Sequence, residues 1–411
     1  MNLEKEEFWV IKNINIVDVL SGGIITNQTM VIKDSRIEFI GSNWKHPSSS
    51  KINTIDARNK YIIPGMWDMH FHLSWNQKND SLLFPVLFSK GITGIRDMGG
   101  DLKIQNTFKS LKKAKPEIYG AGPIIDGNPP VMYDFTVPVD QNTEIEKILD
   151  SISQRGADFI KTYSLIRKPE FERIAAYSEK NNIPFAGHLS EFIEPELSID
   201  LGQKSIEHLN RLDKIWEKDP TRINDIARAM IKNDTWLCPT LLVYFNKMVP
   251  AKDSLRNESY DRYIAPELAR EWEKSKTFSI PESKGVAWQA KQREFEQNLD
   301  LVSFLHKKGI KIVAGSDFGG MPYVYPGIGL LQELKLLKRA GLSNLEVIRT
   351  ATINPALYFS IDEEFGSVSV GKFADLVILK KNPLIDIENL KSIEIVFKKG
   401  ELVYHHSAET D

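Results

Sequence analysis

Between residues 62 and 360, short apolar runs alternate with amphipathic stretches of ten or more residues, and this alternation constrains the fold more than any other feature of the chain. Eight runs have strand character: YIIPGMWDM, ITGIRDM, EIYGAGPII, ADFIKTY, IPFAGHL, SIEHL, TWLCPTLLV and KIVAGS. Between or after them, EIEKILDSISQRG, EFERIAAYSEKN, RINDIARAMIKN, FEQNLDLVSFLHKKG and GLLQELKLLKRAG repeat apolar residues at three and four, and several end near Gly or Asn. That is the pattern of helices with one buried face. Strands joined through helices run parallel, and eight such units close a barrel.

Both ends of the chain have a different texture. Residues 1 to about 60 hold the short strands FWVIKNINIVD, QTMVIKD, RIEFIG and KINTIDA, with Gly22, Gly23, Asp34, Ser35 and Asn43 at turns, and the last fifty residues return to it with GSVSVG, FADLVILK, IEIVFKKG and ELVYH. Neither end supplies much core alone, so the two are expected to pack together. The expectation is an α/β chain: a (β/α)8 TIM barrel over 62–360, with a small β-sandwich-like domain built from 1–61 and 361–411. A chain of 411 residues suits this division, since single cores rarely grow past ~300 residues. The connection after the seventh run, about 244–300, is long and rich in charge and aromatics; it reads as an active-site cover or as plain surface decoration.

Six polar residues stand at or just past the ends of these runs: His70 and His72 on the first, Lys161 on the fourth, His188 on the fifth, His208 on the sixth and Asp317 on the eighth. In barrels of this kind that end carries the chemistry. Strand side chains alternate with period two, so His70 and His72 point the same way, and a shared metal accounts for two neighbouring imidazoles. Taken alone, each histidine has a plain alternative as a satisfied core or surface residue. Lys161 places an ammonium in an apolar strand, which is costly without a partner. A facing carboxylate is one explanation. The other is carboxylation of the amine by CO2, which makes an anionic ligand able to bridge two metals and which low-dielectric surroundings favour by supplying free amine. Asp317 can ligate an ion and take up a proton from bound hydroxide, or cap a turn. Asp68 shares the inward direction and reads best as a support for the ligands. His46, His306, His405 and His406 fall in a turn, a helix and the C-terminal tail, where surface or capping roles suffice.

At these positions the chain resembles the amidohydrolase superfamily, in its binuclear, carboxylated-lysine type. The family's HxH matches His70 and His72, its bridging lysine Lys161, its two later histidines His188 and His208, and its last aspartate Asp317. PGMWDMHFHL differs from the commoner PG(L/F)xDxHxH only at apolar positions, and TINPALYFSIDEEFGSVSVGKFADLVIL is similar to the family's return from barrel to small sheet domain. The resemblance implies one ion at His70, His72 and Asp317, a second at His188 and His208, and Lys161 between them. Zinc is the expected metal by ligand type, with manganese, iron or cobalt admitted. Within the superfamily, GITGIRDMGG and ADFIKTY are similar to the imidazolonepropionase-related group, whose lysine-containing members include dipeptidases resembling prolidase. Imidazolonepropionase itself and the related aminohydrolases generally use one metal and lack the lysine, so Lys161 speaks against ring opening and deamination.

The resulting expectation is metal-dependent hydrolysis of an amide or peptide bond, in a dipeptide or N-acyl amino acid, by a hydroxide shared between two ions, with Asp317 passing the proton to the leaving nitrogen. Alternatives are a lactam, ester or carbamate hydrolase at the same site and, remotely, a noncatalytic scaffold. Arg96, Tyr133, Tyr163 and Tyr244 are candidate substrate contacts; equally, Arg96 would pair with a carboxylate below the site and Tyr163 would pack between barrel and helix. The formal net charge of -2, with no basic stripe, gives no support to a nucleic-acid partner. Cys238 is the single cysteine, so no internal disulfide forms, and in an apolar run it reads as core. No leader or membrane span is evident, which makes the cytoplasm the default, and an oligomer of identical chains is admitted.

Overall fold

A computed structural model describes residues 7–45, 51–76, 80–249, 255–274 and 286–406. The two ends of the chain do meet. Strands Tyr61–Pro64 and Leu376–Leu379 pair antiparallel, Tyr61 opposite Leu379 and Pro64 opposite Leu376, and this pair joins the N-terminal strands to the C-terminal ones. The product is one mixed sheet of eight strands, in the order Glu401–His405, Ile393–Lys398, Leu376–Leu379, Tyr61–Pro64, Glu7–Val17, Ile24–Lys33 and Arg36–Gly41, with Lys51–Asp56 also on Glu7–Val17. The hydrogen-bond ladder joins both ends of the chain in a single sheet. Ile11, Ile14, Ile16, Met30 and Ile32 from one end share a core with Leu376, Ile378, Ile395 and Phe397 from the other. Neither set buries itself without its counterpart.

The middle of the chain forms two all-parallel sheets. One contains Met66–Phe71, Ile92–Asp97 and Glu117–Gly120. The other runs Thr136–Val139, Ile124–Gly127, Ile160–Thr162, Phe185–Gly187, Ser205–Glu207, Trp236–Cys238. Two of the eight runs split: Gly65 divides YIIPGMWDM between the mixed sheet and the first parallel strand, and EIYGAGPII breaks at Gly122, whose φ is 71°, to serve both parallel sheets. A strand at Thr136–Val139 was not expected from the sequence.

The last run, KIVAGS, makes isolated bridges in place of a regular ladder. It lies between the two sheets, accepting from Leu237 N–H through Lys311 O at 2.9 Å and from Met69 N–H through Ala314 O at 2.8 Å. A Cβ on Gly315 would fall 2.5 Å from His70 Cβ and 2.7 Å from Cys238 Sγ, so only glycine passes there. A continuous closed ladder is thus not formed: the parallel sheets meet across single hydrogen bonds, including Asp158 N–H to Gly120 O at 2.9 Å. The helices fall where the periodicity puts them, at Ile145–Gln154, Lys168–Asn181, Pro220–Lys232, Val286–Lys307 and Ile328–Arg339. Of the connection at 244–300, residues 250–254 and 275–285 lie outside the described residues, as does His46. Its helix Pro266–Lys274 is tied to the end of the first parallel strand, since Asn76 donates to Tyr263 O at 2.9 Å and accepts from Ala265 N–H at 2.6 Å. Among the described residues no helix is long and apolar enough to cross a membrane.

Candidate metal centre

Each side chain arrives at or just past the end of a parallel strand. Met66–Phe71 carries His70 and ends before His72; Ile160–Thr162 carries Lys161; His188 follows Phe185–Gly187 and His208 follows Ser205–Glu207. Asp317 closes the bridging segment, its N–H donating to His70 O at 2.8 Å. His208 and Asp317 have φ of 64° and 61°, left-handed conformations that turn the chain sharply beyond the strand at a cost on the order of 1 kcal/mol each.

The structure brings these six side chains into one chamber, each buried to 7% exposure or less. Ring centroids are 4.6 Å apart for His70 and His208, 4.7 Å for His188 and His208, and 5.4 Å for His70 and His72. Asp317 Oδ1 lies 3.4 Å from His70 Nε2 and 3.3 Å from His72 Nε2, a grouping of donors compact enough for one cation. Lys161 acts electrostatically on His70, His188, His208 and Asp317.

What most defines the chamber is how the histidines are held. Nδ1 of His70 meets Glu207 Oε2 at 2.9 Å, of His72 the Gly99 carbonyl at 3.0 Å, of His188 Ser164 Oγ at 3.0 Å, and of His208 Thr240 Oγ1 at 2.6 Å. Anchoring one ring nitrogen fixes the ring and frees the other for a ligand. Among the described residues His70 Nε2 and Lys161 Nζ are buried with no hydrogen-bond partner, a condition that costs about 1–3 kcal/mol per group. Burial pulls the pKa of His70 down to about 3 and those of His188 and His208 well below the usual value, with the Lys161 charge adding to it in all three. These rings are neutral, the form that offers a lone pair. Burial also lowers Lys161 to about 8, against the opposing pull of Glu207. Burial pushes Asp317 up, but the bond to His72 and the neighbouring His208 and Lys161 outweigh it and hold the carboxyl below its ordinary range. Neutral imidazole nitrogens, one carboxylate and an unpaired amine form a donor set that fits divalent cations.

Beneath the chamber lies a layer that the sequence did not disclose. Glu207 is fully buried and joins His70 to Arg96, whose Nη2 lies 2.7 Å from both Glu207 oxygens. Arg96 also donates to Met69 O at 2.6 Å and to Ser205 Oγ at 2.9 Å. These bonds correct the expectation of substrate contact: Arg96 is a fully buried floor residue with its donors occupied. They also argue against a cation held by His70, Glu207 and Cys238, although those three lie close together. Asp68 supports from another side, accepting from Ser316 N–H at 2.9 Å and Ser316 Oγ at 2.6 Å. Tyr244 is likewise committed, accepting from Leu209 N–H at 2.7 Å and donating to Asn210 Oδ1 at 3.0 Å, so it fixes the loop after His208. Tyr133 is 70% exposed, and its neighbours Asp134 and Phe135 border the cleft beside His72 in its place. Tyr163 packs tilted against His188, centroids 3.9 Å apart, with Lys161 Nζ 5.7 Å from its ring, so it faces the chamber. Cys238 is buried, and burial raises its thiol far above the reactive range.

A model of the amidohydrolase family matches residues 61–403. Imidazolonepropionase from Idiomarina loihiensis is 29% identical over 110 residues, which is about a quarter of each protein, 26% of this chain and 26% of that one. Imidazolonepropionase from Kosmotoga olearia is 22% identical over 396 residues, covering 93% of this chain and 92% of that protein. Among solved structures, a Xaa-Pro dipeptidase with methionine bound in its active site is similar at a TM-score of 0.73 and 21% identity, over 98% of this chain and 100% of that one. At that identity the likeness is one of fold.

Proposed function

The chain belongs to the amidohydrolase family, and on that premise we propose that it hydrolyses an amide or peptide bond, in a dipeptide or N-acyl amino acid, at the chamber of His70, His72, Lys161, His188, His208 and Asp317. The observation that carries the reading is the shared anchoring of four imidazoles through Nδ1 around a buried amine that has no partner. His70, His72 and Asp317 would hold one divalent ion and His188 and His208 a second, zinc by ligand type, with a carboxylated Lys161 between them. When bound, the ions polarise the scissile carbonyl and lower the pKa of water.

The chain's own residues supply the rest. Glu207 and Thr240 keep His70 and His208 in the tautomer and orientation that present Nε2. Asp317, ionised at neutral pH, accepts the proton of the attacking water at a carboxylate oxygen and returns it to the leaving nitrogen. Burial of the chamber excludes bulk water and strengthens each charge interaction within it. On the same reading, 62–360 is the catalytic unit, its parallel strands arranged as in a (β/α)8 barrel with the ladder interrupted at KIVAGS, and 1–61 with 361–411 form the smaller unit. Screening a dipeptide and N-acyl amino acid library against zinc-loaded protein tests the proposal. Turnover that stops on chelation and returns with metal is expected; a library untouched by fully metal-loaded protein would contradict it.

A further inference from the structure

Beside His72 and Asp317 opens a cleft of about 560 Å³. Glycines keep its inner end bare. A Cβ on Gly320 would fall 2.5 Å from Asp317 Oδ1, and one on Gly319, where φ is 93°, 2.9 Å from His72 Cβ. Gly319 and Gly320 line the cleft and pack directly against His72 and Asp317, so the cleft opens next to the metal-binding side chains. Its walls are aromatic: Trp75, whose ring lies 4.5 Å from that of His72; Phe135, stacked on Trp75 at 5.7 Å and 18°; and Trp272, from helix Pro266–Lys274.

Phe135 is the informative residue. Its φ is 59°, a conformation rare for a bulky side chain and costing on the order of 1 kcal/mol. The backbone is pinned there, since Ile124 N–H donates to Phe135 O at 2.8 Å. Packing does not require the ring, which is only half-buried. The stacked pair forms a continuous aromatic wall beside the reacting centre, a surface on which a flat apolar group packs. Charge narrows the choice: Asp134, Glu267 and Glu271 border the cleft against Lys274 as the cation. An anionic group is disfavoured there, and a neutral or cationic one is not.

We infer that this cleft selects the substrate, taking a bulky apolar group, aromatic before aliphatic, neutral or cationic, on the residue next to the scissile bond. The inference rests on the hydrolase reading for its reaction but not for its binding. Phe135→Gly is the decisive variant, because glycine relieves the positive φ while deleting the ring, so thermal stability is not expected to fall. Two readouts are taken on zinc-loaded protein. The first is kcat/KM on Phe-Gly, Ala-Gly, Lys-Gly and Asp-Gly and their reversed-order partners; the second is calorimetric binding of phenylalaninamide and alaninamide. Wild type is expected to favour Phe over Ala by about tenfold on one side of the bond, to handle Asp worst, and to bind phenylalaninamide about tenfold more tightly than alaninamide. In Phe135→Gly both ratios are expected to collapse toward one. Ratios that persist in the variant, or a preference for Asp, overturn the inference. Should no peptide be cleaved while phenylalaninamide binding shows the preference and loses it in the variant, the aromatic preference of the cleft stands and the hydrolase reading falls.

Discussion

Arg96 is held by hydrogen bonds to Glu207, Ser205 and Met69, whereas the amine of Lys161, which sits over the Tyr163 ring, has no hydrogen-bond partner among the described residues. Both cations are buried next to the histidines, at 0% and 1% exposure. Burial pulls the pKa of each down. For Arg96 the Glu207 carboxylate reverses the effect and raises it, and for Lys161 the same carboxylate falls short, leaving the amine at about 8. The floor is a closed hydrogen-bond network that fixes His70 from behind; the chamber above it is a set of inward-facing atoms that the protein itself does not satisfy. A buried group left unpaired costs stability, so the contrast separates residues that hold the fold from residues that await a ligand.

The largest expected effect breaks the contrast if it fails. Arg96→Met removes the guanidinium that pairs with the buried Glu207 carboxylate, which keeps its bonds to His70 and Ser205, and is expected to lower the unfolding free energy by about 3–5 kcal/mol in urea melts. Lys161→Met removes an amine that had no partner, so metal-free protein is expected to stay within about 1 kcal/mol of wild type while hydrolysis is lost. Similar destabilisation by the two substitutions would show that the regions do not differ as described.

Next in size is Glu207→Gln, which keeps the shape of the link to His70 but removes its charge. Metal affinity measured by chelator competition is expected to fall about 10–100-fold. Thr240→Val deletes the bond to His208 Nδ1 from a neutral partner, and about tenfold is expected, with a stability loss of about 1 kcal/mol. Equal effects would mean that the charged floor adds nothing to orientation.

Glu333 sharpens the comparison from a distance. Its carboxyl accepts from Leu241 N–H at 2.9 Å and Leu242 N–H at 2.7 Å, at the helix that follows Thr240, yet burial outweighs those bonds and raises its pKa to about 8. The folded state then binds more protons than the unfolded state between the ordinary value of 4.5 and about 8. Stability contributed by this group is present at the acid end of that window and lost as pH rises through it. Urea melts of Glu333→Gln against wild type are expected to show a flatter pH dependence over that window; an unchanged slope would mean that the two backbone bonds keep the carboxylate ionised.

The chamber was legible because its six residues carry unusual chemistry for their place: imidazoles, an amine and a carboxylate at the ends of apolar runs. Helix positions followed from apolar spacing, and the union of the two ends followed from their lack of core. Glu207 was not legible. It precedes His208 directly in SIEHL, but its partner Arg96 lies 111 positions away and its other partner, His70, 137 away, distances at which a single sequence carries no pairing signal. For Arg96 the sequence left open substrate contact or a carboxylate below the site, and the structure shows the second, a choice of depth that strand alternation does not make. The Trp75–Phe135 stack depends on a left-handed phenylalanine, which no local pattern announces. KIVAGS looked like a strand and makes only bridges, a distinction that its apolar pattern does not carry.

Metal content per chain, measured by elemental analysis on wild type and Lys161→Met purified without chelators, tests the central claim most directly. The account predicts two divalent ions in wild type and no more than one in the variant, at matched folding. Wild-type protein that takes up no metal, or a variant that keeps both ions, would contradict it.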